Sequence, residues 1–264
     1  MKLACQEHLI PGATLLEKWR LVEALGYGGI ELRGEANFAL RDRLPELRAA
    51  RRAGAVFPSV CVISDHFIGD FDAEKRHDAI ENMKVLLSII TELGGYGAIT
   101  PASYGMFSLR LPPFKPPRSA EDDRAVLIEG LTELGEHAAR EGVCVLLEPL
   151  NRYEDHMVNR LDQAVDLCSA VGLASVRVMG DFFHMNIEEI DIAESIRQAS
   201  GFLRHIHLAD SNRRHPGAGH TNFKPALDVL GAMGFDGYMA LECHVTVELP
   251  VLLDQSARYL RSLA

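Results

Sequence analysis

Short apolar runs alternate with amphipathic segments along the whole chain. Eight of these runs are rich in Val, Ile, Leu and Ala, as is typical of β-strands that are covered on both faces. The runs are LAC at the amino terminus, IEL at 30, VCVI at 60, AIT at 98, VCVLLE at 143, VRVMGD at 176, LRHIHL at 203 and YMALE at 238. The pattern therefore predicts eight buried strands separated by other structure.

The segments between the runs carry apolar residues at steps of three or four, which is the spacing of one helix face. Two stripes of this kind are Ile80, Met83, Leu87, Ile90 and Leu93, and then Leu161, Val165, Cys168 and Val171. The first stripe stops at Gly94-Gly95 and the second at Gly172. Glycine accepts the left-handed turn that follows many helices, so we expect both helices to end there.

Eight strand–helix units in 264 residues give a period of about 33 residues. Such a period predicts parallel strands joined by right-handed helical crossovers. We therefore predict an α/β fold, a (β/α)8 TIM barrel, with residues 1–264 as a single domain. The first strand is not followed by G-x-G-x-x-G, which argues against a dinucleotide-binding open sheet. The Pro-rich stretch LPPFKPP (111–117) is predicted to be a loop over a surface or site.

Composition and charge narrow the classes of function. The chain is 47% hydrophobic and 24% charged, which is ordinary for a soluble globular domain, and its net charge of −10 disfavours a nucleic-acid partner. No apolar run is long enough to span a membrane, and MKLACQEH lacks the apolar core of a secretion signal. The five cysteines are odd in number and form no C-x-x-C pair. We expect a cytoplasmic protein with no membrane or nucleic-acid partner.

Four residues with metal-binding side chains stand at the ends of four consecutive predicted strands. They are Glu148, Asp181, His207 and Glu242. Taken singly, they have ordinary interpretations: a loop entry, a helix cap, a core histidine and an ion pair with lysine. In a barrel, however, all strand carboxyl ends open on one face, so the four side chains should meet there. Three carboxylates and one imidazole suit a divalent cation such as Mn²⁺, Mg²⁺ or Co²⁺.

Other polar residues follow these strands closely. Arg213 lies in the loop after His207, where a guanidinium would offset the excess negative charge and grip substrate oxygens. His184 comes three residues after Asp181, so a helix beginning there would put both on one side. Glu154 lies in the loop after the fifth strand. Of the two histidines in LRHIHL, His205 and His207, we expect only one to face the barrel interior.

The motifs LLEPLNRYE, GDFFHMNIEE, HIHLADSNRRHPGAG and MALE resemble those of the xylose-isomerase-like TIM barrels, the sugar isomerases and epimerases. The nearest resemblance within this family is to the ketose 3-epimerases, the D-tagatose/D-psicose 3-epimerase group. It is concentrated between Val143 and Glu242. One departure is that Cys243-His244 follows the last Glu, where these epimerases tend to have Pro and an aromatic residue.

The resemblance implies a set of roles for the candidate residues. The metal ligands, usually for Mn²⁺, would be Glu148, Asp181, His207 and Glu242. The acid–base pair would be Glu148 and Glu242. The substrate oxygens would be held by Glu154, His184 and Arg213. A homodimer or homotetramer acting on a small carbohydrate is also implied.

The resemblance and the chemistry together predict a metal-dependent ketose 3-epimerase. One glutamate would remove the C3 proton of a ketose, and the other would return a proton to the opposite face through an enediolate. The same groups acting at C1 would make an aldose–ketose or hydroxypyruvate-type isomerase. Loss of a β-hydroxyl would make a dehydratase of a cyclic keto-polyol such as 3-dehydroshikimate or inosose. An endonuclease IV-like repair nuclease and a catalytically idle binding subunit are the remaining alternatives.

Overall fold

A computed structural model describes residues 1–107 and 115–263. Its strands are all parallel and close into a barrel in chain order, because the first strand pairs with the second on one side and with the eighth on the other. The strands are β1 (Lys2–Gln6), β2 (Gly29–Glu35), β3 (Ser59–Ile63), β4 (Gly97–Pro101), β5 (Cys144–Glu148), β6 (Val176–Asp181), β7 (Leu203–Leu208) and β8 (Tyr238–Leu241). The predicted (β/α)8 TIM barrel is confirmed.

Helices connect the strands on the outside of the barrel, and two short helices in succession join β6 to β7. The helices are α1 (Leu15–Ala24), α2 (Leu44–Arg52), α3 (Ala73–Glu92), α4 (Ala120–Glu141), α5 (Leu161–Val171), α6 (Phe182–Glu188), α7 (Ile192–Gln198), α8 (Phe223–Ala232) and α9 (Leu249–Ser262). The predicted loop at 111–117 lies mostly outside the described residues, which resume at residue 115.

Local sequence accounts for where these helices begin and end. Asp72 precedes α3, and its carboxylate accepts hydrogen bonds from two backbone N–H groups of the first turn, which have no partner within the helix. At the far ends of α3 and α5, Gly94 and Gly172 have φ of +76° and +70°. A residue with a Cβ adopts this left-handed conformation only with strain, so glycine ends the helices where the sequence predicts.

The inner face of the barrel is divided into an apolar part and a polar part. The apolar part contains Cys61, Ile99, Leu146 and Met179, which pack together apart from the main core. Since strand residues two apart share a face, Leu146 and Met179 direct the later residues Glu148 and Asp181 inward as well. Those later residues stand at the rim, where the strands end.

Within the described part of the chain, no helix combines the length and apolar character needed to cross a bilayer.

Candidate metal and active site

The structure brings four ligand-type side chains together at the carboxyl ends of β5 to β8. One donor atom from each of Glu148, Asp181, His207 and Glu242 lies within 4.8 Å of the others. The Nδ1 atom of His207 is 3.4 Å from Glu148 Oε1, 3.8 Å from Asp181 Oδ2 and 3.0 Å from Glu242 Oε2. Four side chains far apart in sequence therefore surround one point at the mouth of the barrel.

Asp181 contributes to both local structure and the cluster. Its Oδ1 accepts hydrogen bonds from the backbone N–H groups of Phe183, at 2.7 Å, and His184, at 3.3 Å, and so caps α6. Its Oδ2 faces His207. The helix-cap interpretation and the metal-site interpretation are therefore compatible, because each uses a different oxygen of one completely buried carboxylate.

The expectation that only one histidine of β7 faces inward is wrong. Residues two apart lie on the same face of a strand, so His205 and His207 both point into the barrel. Both are completely buried, and their Nε2 atoms lie 2.9 Å and 2.8 Å from the two oxygens of Glu31 on β2. Glu31 was not identified from the sequence, although two histidines on one inward face indicate that buried polar partners are needed.

The donor set fits a divalent cation. Three carboxylates and the neighbouring Arg213 leave a formal charge of −2, which a doubly charged ion would balance. Among the described residues, Glu148 Oε1 and His207 Nδ1 are buried atoms without a hydrogen-bond partner. Buried polar atoms seldom remain unpaired, and oxygen with imidazole nitrogen is the donor chemistry of Mn²⁺ and related ions.

The charges around the cluster shift the acidities of its members in opposite directions. Burial raises the pKa of the Glu148 carboxyl, and the Glu242 and Asp181 carboxylates raise it further, against the effect of His207. Burial also raises the pKa of Glu242, but Arg213 and His207 outweigh it and hold that pKa well below its usual range. Two glutamates in one site thus experience different environments, as in many acid–base pairs.

Positive charge is strongly favoured at His207. Burial lowers the pKa of its imidazole, but the Glu31 and Glu242 carboxylates overcome this and raise the pKa well above its ordinary value. Without an ion, a proton would occupy the position that faces the cluster. A metal ion and a proton would therefore compete for Nδ1, as is usual for histidine ligands.

Arg213 reaches the cluster from the loop after β7. Its guanidinium nitrogens lie 2.5 Å from Asp181 Oδ2 and 2.6 Å from Glu242 Oε2, and its head is 4.9 Å from the centre of the Phe183 ring. Its backbone has φ of +60°, an uncommon value for a residue other than glycine. Strained backbone of this kind persists where surrounding structure holds it, and it is frequent at functional sites.

His184 presents a defined hydrogen-bond donor to the site. The backbone N–H of Asn151 donates to its Nδ1 at 3.2 Å, so the ring proton of the neutral imidazole is on Nε2. That Nε2 is 3.8 Å from Glu154 Oε2 and 4.0 Å from Asp181 Oδ2. His184, Glu154 and Arg213 all line the cavity over the cluster.

The cavity has a volume of about 650 Å³ and extends well beyond the cluster. Its other half is formed by the ends of β2, β3 and β4 and the loops after them, including Glu35, Ser64, Phe67 and Tyr104. The sequence analysis assigned no residue in this half, because these positions form no recognisable motif. The cluster thus occupies one side of a larger cleft.

Comparisons with known proteins identify the family to which the chain belongs. A family model described as "Xylose isomerase-like TIM barrel" matches residues 19–263. A protein of Escherichia coli (strain K12) named 3-dehydro-D-guloside 4-epimerase is 37% identical over 251 residues, 95% of each chain. A D-psicose 3-epimerase of Enterocloster bolteae is 36% identical over 122 residues, which are 46% of this chain and 40% of that relative.

Solved structures have the same fold as this chain. The apo crystal structure of 3-keto-D-glucoside 4-epimerase from E. coli superposes with a TM-score of 0.91 at 36% identity, covering 100% of this chain and 98% of that one. The structure of D-psicose 3-epimerase with D-tagatose from Clostridium cellulolyticum has a TM-score of 0.82 at 22% identity, covering 100% and 98%. The second likeness shows the fold alone.

Proposed function

Because the chain belongs to the xylose isomerase-like TIM barrel family and is an enzyme of the isomerase and epimerase class, we propose that it is a metal-dependent epimerase of keto sugars. The favoured substrate is a 3-keto glycoside, whose configuration is inverted at C4. The observation that carries the proposal is the convergence of two glutamates, Glu148 and Glu242, with Asp181, His207 and Arg213 at one point.

The chemistry requires a weakly acidic proton to be removed from a carbon beside a ketone. A divalent ion held by Glu148, Asp181, His207 and Glu242 would supply Lewis-acid polarisation of the ketone. One of the two glutamates removes the proton, and the other returns a proton to the opposite face of the planar enediolate. They suit this division because they extend from different strands, β5 and the end of β8, and differ in environment.

The remaining polar residues hold the oxygens of the sugar. His184 donates from Nε2, because Asn151 occupies its Nδ1. Arg213 carries a permanent charge and two donors next to the carboxylates, where it stabilises negative charge that develops on substrate oxygen. Glu154 accepts from a sugar hydroxyl at the edge of the cavity.

Cavity size favours a glycoside over a free monosaccharide. A single hexose packed at the density of a protein interior occupies roughly 200 Å³. The cavity holds about 650 Å³ and continues from the cluster to Phe67 and Tyr104. A keto sugar ring over the cluster would leave room for the group attached at its anomeric carbon. The 4-epimerase relative of E. coli also matches nearly the full chain, whereas the D-psicose 3-epimerase relative of E. bolteae matches less than half.

The test is proton exchange in D2O followed by nuclear magnetic resonance. Methyl 3-keto-glucoside with enzyme and Mn²⁺ is expected to gain deuterium at C4 and to form the C4 epimer, and a chelator should stop both. D-Psicose and D-tagatose, incubated in parallel, test the ketose 3-epimerase as the second candidate, which the similarity of one half of the chain favours. Absence of exchange with every substrate would refute the epimerase proposal, and an enone product would identify a dehydratase.

A further inference from the structure

Beneath the cluster, a carboxylate that does not line the cavity is buried in the barrel interior. Glu31 on β2 is completely inaccessible, and donor groups surround both of its oxygens. Its Oε1 lies 2.8 Å from His207 Nε2 and 3.0 Å from Gln6 Nε2. Its Oε2 lies 2.9 Å from His205 Nε2 and 2.7 Å from the Ser59 hydroxyl. An ionised carboxylate tolerates such burial only when it is fully paired in this way.

His205 and Tyr96 complete the surroundings of Glu31. The Nε2 atom of His205 lies 2.9 Å from Glu31 Oε2 but makes no hydrogen bond there, so the Ser59 hydroxyl supplies the hydrogen bond to this oxygen. The Nδ1 atom of His205 lies 2.5 Å from the Tyr96 hydroxyl, whose oxygen accepts from the backbone N–H of Tyr238 at 3.2 Å.

The contact with Glu31 determines which nitrogen of His207 carries a proton. Its Nε2 faces Glu31, which as a carboxylate can only accept, so Nε2 carries the proton. The Nδ1 atom is then the position that faces the carboxylates of Glu148, Asp181 and Glu242. Three carboxylates favour a cation there, either a proton or a metal ion.

We propose that Glu31 is a positioning residue of the cation site, which it serves by holding the proton of His207 on Nε2 and presenting Nδ1 to the ion. Gln6 and Ser59 hold Glu31 by donating one hydrogen bond to each of its oxygens. The inference rests on the cation site of the proposed function, but it does not depend on the identity of the sugar.

The role predicts a specific defect in Glu31→Gln. The amide has the same shape but offers only one acceptor oxygen where the carboxylate offers two. Loss of such a carboxylate partner typically weakens metal affinity about 10- to 100-fold. The affinity is measured by competition between the chelator-treated protein and a fluorescent chelator for Mn²⁺. Saturating Mn²⁺ should then restore the exchange activity of the variant, which a misfolded barrel would not recover.

Glu7→Gln is the matched control. Glu7 is also a mostly buried glutamate, but it pairs with Arg43 and Lys18 and does not line the cavity. We expect Glu7→Gln to lower thermal stability and leave Mn²⁺ affinity unchanged. If folded Glu31→Gln binds Mn²⁺ as tightly as the wild type, the inference about Glu31 is overturned. If the wild type itself binds no Mn²⁺, the proposed cation site fails instead.

Ser59→Ala provides the decision if Glu31→Gln does not fold. This variant removes only the hydroxyl that donates to Glu31 Oε2 at 2.7 Å. Glu31 is then held less firmly against His207, and Mn²⁺ affinity should fall at least several-fold, less than with loss of the carboxylate itself. A folded Ser59→Ala protein with the affinity of the wild type would overturn the inference.

Discussion

At the scale of single residues, Glu148 illustrates why a charged side chain ends a buried strand. The three residues before it on β5, Val145 to Leu147, are inaccessible, and Glu148 itself is 4% exposed. Burial raises the pKa of its carboxyl, and a nearby cation would lower it again. A carboxylate in this position costs stability unless a partner is present, so its retention there is best explained by chemistry.

The first prediction concerns Glu148→Gln. The substitution preserves shape but removes the group that we propose moves a proton, so exchange in D2O should fall by about 10²- to 10⁴-fold at saturating Mn²⁺. Initial rates by nuclear magnetic resonance provide the measurement.

Glu133→Gln serves as the control for this prediction. Glu133 pairs with Lys84, has a side chain that is 47% exposed and does not line the cavity, so its loss should leave the rate within about twofold of the wild type. Full activity in Glu148→Gln would contradict the acid–base role.

At the scale of elements, the loop after β7 is organised by Asp210. The carboxylate of Asp210 accepts hydrogen bonds from the backbone N–H groups of Ser211, Gly217 and Thr221 at 2.8 to 2.9 Å. Its own backbone carbonyl accepts from the N–H of Arg213 at 2.8 Å. One carboxylate thus holds the loop in the conformation that directs the Arg213 guanidinium into the site.

The second prediction is that Asp210→Asn loosens this loop. Asparagine has one acceptor oxygen in place of two, so at least one N–H loses its charged partner, at a cost of about 1.5–3 kcal/mol in the free energy of unfolding. Because Arg213 is then held less firmly, KM for the keto sugar should rise. Chemical denaturation and steady-state kinetics measure the two effects.

Asp228→Asn is the control, since Asp228 pairs with Lys224 on the exposed face of α8. A stability equal to that of the wild type in Asp210→Asn would contradict the role given to Asp210.

The pH dependence of the stability difference between the wild type and Asp210→Asn follows from the pKa of Asp210. Burial raises that pKa, but the hydrogen bonds from Thr221, Ser211 and Gly217 outweigh it and hold the pKa below its ordinary value. A carboxylate whose pKa is depressed in the folded state stabilises the fold fully at pH values above its pKa in the unfolded chain, about 3.9. This stabilisation is lost as the pH falls through the pKa of the folded state. The stability gap between the wild type and Asp210→Asn should therefore be constant near neutral pH and shrink only in strong acid.

The third prediction concerns the half of the cleft formed by the ends of β2 to β4. Tyr104 is 55% exposed, lines the cavity, and its ring centre is 6.3 Å from that of Phe67. If a second ring of the substrate packs on this aromatic pair, Tyr104→Ala should raise KM about 3- to 10-fold for a 3-keto disaccharide.

A methyl 3-keto glycoside should show no change in KM, because it lacks the second ring. Tyr153→Ala is the control, since Tyr153 is also exposed but does not line the cavity. Equal effects of Tyr104→Ala on both substrates would contradict a role of this residue in recognising the attached group.

The strands and the four converging side chains could be predicted because they depend on local patterns. The apolar runs predicted the strands. Because the carboxyl ends of all barrel strands lie on one face, the residues at those ends were predicted to lie close together. Glu31 could not be found in this way, because it stands in mid-strand and its partners His205 and His207 are more than 170 residues away. Phe67 and Tyr104 were missed because aromatic residues in loops have no periodicity.

At the scale of the whole molecule, barrel closure depends on close packing between helices and strands. Gly95 connects α3 to β4, and a Cβ there would lie 2.5 Å from the Phe57 carbonyl oxygen and 2.7 Å from that of Pro58. Backbone atoms cannot move aside without shifting the barrel. The fourth prediction is that Gly95→Ala lowers the free energy of unfolding by about 2 kcal/mol or more.

Gly201→Ala is the matched control, because a Cβ at Gly201 would meet no atom within 4 Å. That variant should be neutral or slightly stabilised, since alanine restricts the unfolded chain. Thermal unfolding of the two variants provides the comparison. Equal stabilities would contradict the close approach at Gly95.

The fifth prediction and most direct test is a calorimetric titration of Mn²⁺ into the chelator-treated protein. The account predicts one ion per chain, and a loss of affinity of at least tenfold in His207→Gln and in Asp181→Asn, the latter of which can still cap α6 through its remaining oxygen. No binding by the wild type, or unchanged binding in both variants, would contradict it.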